Sequence, residues 1–132
     1  MIKQDYLIRM IQDILALLVN VLLNKKKLRE QEWSEYDNLT TRILGCSTED
    51  LLHAEANTLI EKYAAEDNSL EKLELAAVYQ LKLAGELKDD SLVYRAKLKH
   101  EALQILKYIQ KEGNTFSLSR VQLINALEKE LK

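Results

Sequence analysis

Proline is missing from this chain, and glycine occurs three times in 132 residues. Average usage would supply about six prolines and nine glycines. With so few backbone breakers, long helices can run without interruption, and a Gly-rich phosphate cradle has almost nothing to be built from. Cys46 is the only cysteine, which excludes an intrachain disulfide and suits a reducing cytoplasm. Neither a G-x-S-x-G elbow nor zinc-ligand spacing occurs. The formal charge of −2 and a pI near 5.8 give no whole-protein attraction to nucleic acid or to anionic lipid.

What the chain does have is helix-forming material. Hydrophobic residues make up 47% and charged residues 30%, a globular balance rich in Leu, Lys, Glu and Ala. A chain of this length buries roughly 65–70% of its unfolded surface, so it needs no metal or disulfide staple. No segment keeps a period of two, so the expected fold is all-α, a single domain over residues 1–132.

The segment over residues 3–27 reads as one long helix. At about 100° per residue its apolar side chains, from Tyr6 through Ile11, Ile14 and Leu18 to Leu22, fill a sector of roughly 220°. Asp5, Arg9 and Asp13 lie opposite at i, i+4 spacing, where they can pair. Asn20 interrupts the apolar run, three lysines follow it, and no small-x-small cleavage site is present. Those features argue against a membrane span, a signal peptide and a lipid-surface helix. The sector is wide enough to be packed on two or three sides, inside the domain or across a homodimer through Ile11, Ile14 and Leu18. On this reading the first helix is the spine of the fold.

The rest divides at local signals. A second helix spans Gln31 to Leu44, with Gly45 placed to end it. Ser47 and Asp50 form a variant capping box for a third, continuous to about Ala65. Ser69 is expected to cap a fourth, Ser91 a fifth to about Glu112, and Ser117 or Ser119 a last helix over about 117–131. About six helices with short connections imply antiparallel helical hairpins over residues 31–112, stacked or in an irregular bundle. Ala76, Ala77, Ala84 and Gly85 on the fourth helix favour close, stacked neighbours.

The stretch "QDYLIRMIQDILALL" resembles the start of a family of small, uncharacterised bacterial proteins. These join a long apolar N-terminal helix to a tetratricopeptide-like helical region. The resemblance implies that fold type and no activity. "LAAVYQL" is similar to the first helix of a tetratricopeptide repeat, but Lys88 stands where the repeat wants a small residue.

Candidate chemistry is thin. His53 follows Glu49 and Asp50 within a turn, yet a di-metal carboxylate bundle needs two Glu-x-x-His helices and two more glutamates. Cys46 at a helix start could carry a reactive thiolate, but neither histidine is placed as its base. The expectation is therefore no catalytic residue, no metal and no cofactor. Two surfaces stand out instead. Lys97, His100, Lys107 and Lys111 make a basic stripe on the fifth helix. Trp33, Tyr36, Leu75 and Tyr79 are candidates to line a groove for a partner segment. The leading expectation is a non-catalytic cytoplasmic scaffold acting through protein–protein contacts, with an unknown protein partner or with a second copy of itself. The alternatives are an RNA- or anion-binding module using the basic stripe, and a small-molecule sensor with a pocket between helices.

Overall fold

The computed structural model describes residues 4–24, 29–87 and 91–131. These residues hold seven helices and no strand: α1 (Gln4–Asn24), α2 (Glu30–Leu44), α3 (Thr48–His53), α4 (Ala56–Tyr63), α5 (Ser69–Glu86), α6 (Leu92–Glu112) and α7 (Leu118–Glu130). The all-α expectation holds. Residues 25–28 and 88–90, with the lysines that follow the apolar run and Lys88 among them, lie outside the described residues.

Local signals set several ends where the sequence placed them. Gly45 adopts φ 69°, a left-handed conformation that suits glycine, and its N–H returns to the Thr41 carbonyl. Ser47 Oγ accepts the Asp50 N–H at 3.1 Å while Asp50 Oδ2 accepts the Ser47 N–H at 3.2 Å, closing the capping box. Ser117 Oγ accepts the Arg120 N–H at 3.2 Å, so it, and not Ser119, caps α7. Two caps differ from expectation. Asn68, at φ 59°, precedes α5 and displaces Ser69 into the helix, and Ser91 makes no side-chain cap bond.

The centre of the molecule is α5, not α1. It contacts α1, α2, α3, α4 and α6, while α6 also packs on α4 and α7. Residues Leu75 through Ala84 are buried without interruption. A helix covered on every side has no flank to leave exposed. Leu75 and Tyr79, expected on an open flank, are therefore core residues at 0% exposure. Ala76, Ala77 and Ala84 are fully buried and permit the close approach of neighbours; Gly85 is exposed and plays no part in it.

Along α1, Ile11, Ile14 and Leu18 are buried in the chain's own core, so this trio is not a free self-association face. The flanking apolar residues, among them Ile8, Met10, Leu15, Leu17, Val19 and Val21, are only half-buried. Tyr6–Asn24 is long and apolar enough to cross a membrane by length and composition, at mean hydropathy 1.8. Arg9 and Asp13 form no ion pair among the described residues, because both stand in water where an i, i+4 pair is worth little.

The third expected helix is broken in two. Ala54 and Glu55 are extended, with ψ of 135° and 154°, and separate α3 from α4. No proline or glycine is there to cause the break. Partners from other helices hold it instead: Gln80 Nε2 donates to the carbonyls of Leu51 (2.9 Å) and Ala54 (3.2 Å). Glu101 Oε1 accepts the Ala56 N–H at 2.9 Å, and Tyr94 Oη donates to the Leu52 carbonyl at 3.1 Å. These groups replace the intrahelical bonds that the break removes.

Tyr63 ties the end of α4 to the end of α2. Its O–H donates to the Leu44 carbonyl at 2.6 Å, with Cys46 Sγ 3.8 Å away, and the ring is wholly buried. Burial, then the neighbouring Cys46, raises its pKa far above the usual value of 10.0. The folded state thus keeps a proton that the unfolded chain loses above pH 10. The resulting stability is present in full below that pH and is lost as pH rises past it. Between pH 10 and 11.5 the native protein is expected to lose up to about 1.4 kcal/mol per pH unit more than a Tyr63→Phe variant does. Equal slopes in paired denaturant titrations would contradict this.

Candidate functional site

The sequence-derived groove does not form. Trp33 and Tyr79 do come together, but around Lys82, whose side chain is 6% exposed. Its Nζ lies 4.4 Å from the Trp33 ring centroid and 5.1 Å from that of Tyr79, 2.7 Å from Glu86 Oε1 and 3.3 Å from Asp37 Oδ1. Tyr79 O–H also donates to Asp37 Oδ1. A cation held by two carboxylates and two ring faces is a closed, satisfied cluster. Tyr36 is half-buried beside the core, and Leu75 is inside it. Trp33 and Tyr79 thus fasten α2 to α5 through Lys82 and Asp37, and none of the four residues lines either of the cavities below.

The basic stripe is where the sequence put it. Lys97, His100, Gln104, Lys107 and Lys111 are all exposed on one face of α6. Lys107 Nζ lies 3.5 Å from Glu128 on α7, and Lys99 beside the stripe pairs with Glu130. The stripe is thus edged by acids. His53 is exposed as well, with Nδ1 2.6 Å from Tyr94 Oη. One proton arrangement satisfies both contacts of that hydroxyl: His53 Nδ1–H donates to Tyr94 Oη, and Tyr94 O–H donates to Leu52. A cavity of about 50 Å³ adjoins this pair.

A larger cleft lies elsewhere, between α1 and α7, at a volume of about 440 Å³. That falls within the ordinary range of ligand clefts, about 300–1,000 Å³. One wall is α1, from Ile8 through Leu15 to Val19. The floor is the first half of α5, with Leu70, Glu71, Glu74 and Val78. The other wall is α7, with Arg120 and Leu123, and the loop before it, where Phe116 stands 73% exposed at the rim.

Arg120 organises this wall. It is only 7% exposed and spends its fork on three acceptors: Nη1 on Glu74 Oε2 at 2.7 Å, Nε on Gln110 Oε1 at 2.8 Å and Nη2 on the Thr115 carbonyl at 2.6 Å. A planar guanidinium can bind α5, α6 and the α6–α7 loop at once in a way lysine cannot. Gly113, the first residue of that loop, leaves no room for a side chain, since a Cβ there would sit 2.8 Å from the Ile109 carbonyl oxygen.

Sequence reading missed this cleft. Arg120 looks like any surface arginine on the last helix, and Glu74 like a solvated acid 46 residues earlier. The usable signal was the apolar sector of α1, which is wider than one neighbour can cover. Comparison with protein-family models, with curated proteins and with solved structures gives no match, so the cleft is characterised by this chain's own residues alone.

Proposed function

We propose that this is a non-catalytic helical interaction protein of the cytoplasm, and that the cleft between α1 and α7 is where it holds a protein partner. The observation that carries the reading is the half-covered apolar flank of α1 forming one wall of a cleft whose buried charge is already paired. Ile8, Leu15 and Val19 keep apolar surface in water, which a partner would cover. Arg120 and Glu74 satisfy each other, so neither stands free as an acid or base in the cleft. Packing of α6 on both α5 and α7 supports stacked, tetratricopeptide-like hairpins, and packing of α1 on α5 supports a helix that stays out of lipid.

A second reading, anion or RNA binding through Lys97, His100, Lys107 and Lys111, is favoured by their shared exposure on one face. One experiment separates the two. A photo-crosslinking residue at Gln12, beside the cleft, is expected to capture a protein in the native cells, and Leu15→Glu is expected to abolish the product. The same probe at Gln104, on the stripe, is expected to capture nothing. Capture at Gln104 that disappears with Lys107→Glu and Lys111→Glu, with none at Gln12, would reverse the assignment.

A further inference from the structure

We propose that the guest of the α1–α7 cleft is an amphipathic helix of another protein, about three turns long, with lysine or arginine along one edge of its apolar stripe. This rests on the cleft being the interaction site and goes on to specify what it takes.

The length follows from the wall. Ile8 and Val19 are eleven residues apart on α1, so the lined stretch is about 16 Å, or three helical turns. The shape follows from the helices. A slot walled by two helices and floored by a third is filled by another helix laid along it, anchored by apolar side chains at i, i+3 or i+4, and i+7.

The charge follows from a count of the lining. Three ionised side chains line the cleft: Glu71, Glu74 and Arg120. The last two cancel across 2.7 Å. Glu71 is half-buried at the floor's edge and has no ion-pair partner among the described residues. The remaining rim is neutral, with Gln12 and Ala16 on α1 and Asn114, Ser117 and Ser119 on the other side. A guest therefore meets one uncompensated negative charge beside apolar walls. A cation at its edge is attracted there; an acid is repelled, which gives the site its selectivity.

The test uses the full-length chain and two synthetic helical peptides of equal length, one with a Leu stripe edged by Lys and one with the same stripe edged by Glu. Binding is read by fluorescence anisotropy at two salt concentrations. The Lys-edged peptide is expected to bind at least tenfold more tightly, and Glu71→Lys is expected to reverse the order. Glu49→Lys, a distant exposed charge, is expected to leave it unchanged and so controls for bulk attraction to an acidic protein. Val19→Glu should weaken the Lys-edged peptide even though it adds negative charge, because it spoils the apolar wall.

Equal binding of both peptides, or a preference that Glu71→Lys does not alter, overturns the proposal. So does a concentration-dependent dimer in sedimentation that Val19→Glu dissociates, since the guest is then a second copy of this chain. Photo-capture at Gln12 of a partner whose docking helix is acidic would overturn the guest's chemistry while leaving the cleft's role intact. Circular dichroism of every variant confirms that the fold persists.

Discussion

Replacing Arg120 with methionine is expected to destabilise the protein by about 3–5 kcal/mol, the range for breaking a buried ion pair on one side only. Methionine keeps much of the side-chain length but none of the donors. Three acceptors, Glu74 Oε2, Gln110 Oε1 and the Thr115 carbonyl, then lose their partner, and Gln110 and Thr115 are exposed enough to turn to water. Glu74 is the costly one, because its side chain is only 18% exposed and carries charge. At a urea dependence of about 2 kcal/mol per molar, the midpoint should fall by roughly 2 M with an unchanged slope. A second variant isolates the cause. Adding Glu74→Leu to Arg120→Met removes the stranded charge and is expected to restore at least half of the loss. A single variant that cost under about 1 kcal/mol would place the pair with ordinary surface salt bridges, and Arg120 would not be what fixes the α7 wall.

Gln80→Leu is the other substitution with a large expected effect, about 1–3 kcal/mol, the loss of two donor contacts being partly offset by removal of Oε1, which is buried without a partner. The side chains are close in volume, so the core keeps its packing and the loss is chiefly polar. Without Nε2, the Ala54 carbonyl has no donor, and the Leu51 carbonyl keeps only the Ala54 N–H at 3.4 Å. Each stranded acceptor costs about 1–3 kcal/mol. Hydrogen exchange should show the damage as local, with protection at Ala56 and its neighbours falling before the rest of the core. Glu101→Gln, which keeps an acceptor for the Ala56 N–H, is expected to change little, and Glu101→Ala more. If Gln80→Leu cost under about 1 kcal/mol, the break between α3 and α4 would have to be a local preference of the chain and not an imposed one.

That contrast shows where sequence reading succeeded. Gly45, the Ser47–Asp50 box and Ser117 were legible because each acts within four residues of itself, and the chemistry of a helix end is local. The break at Ala54 was illegible because the groups that hold it come from 26 to 45 residues away, on α5 and α6. The exposure of the Lys97–Lys111 stripe was legible too, since charged residues on one helical face have nowhere to go but water.

Leu75 and Tyr79 failed for a different reason. A helical wheel assumes one covered face, and α5 is covered all round, so its second apolar flank became core. The same assumption cast α1 as the spine. Both helices are greasy enough, but hydropathy counts apolar side chains and says nothing of which helix the others surround.

The amino-acid sequence alone, with no proline, three glycines and helix formers throughout, committed this chain to helices, and its local caps marked several of their ends. Only tertiary packing chose α5 as the centre, bent the third helix at a site with no breaker, and brought Arg120 to Glu74 beneath a cleft. Propensity and capping are settled between neighbours along the chain. Burial and the pairing of buried charge are settled between residues that meet only after the chain has folded.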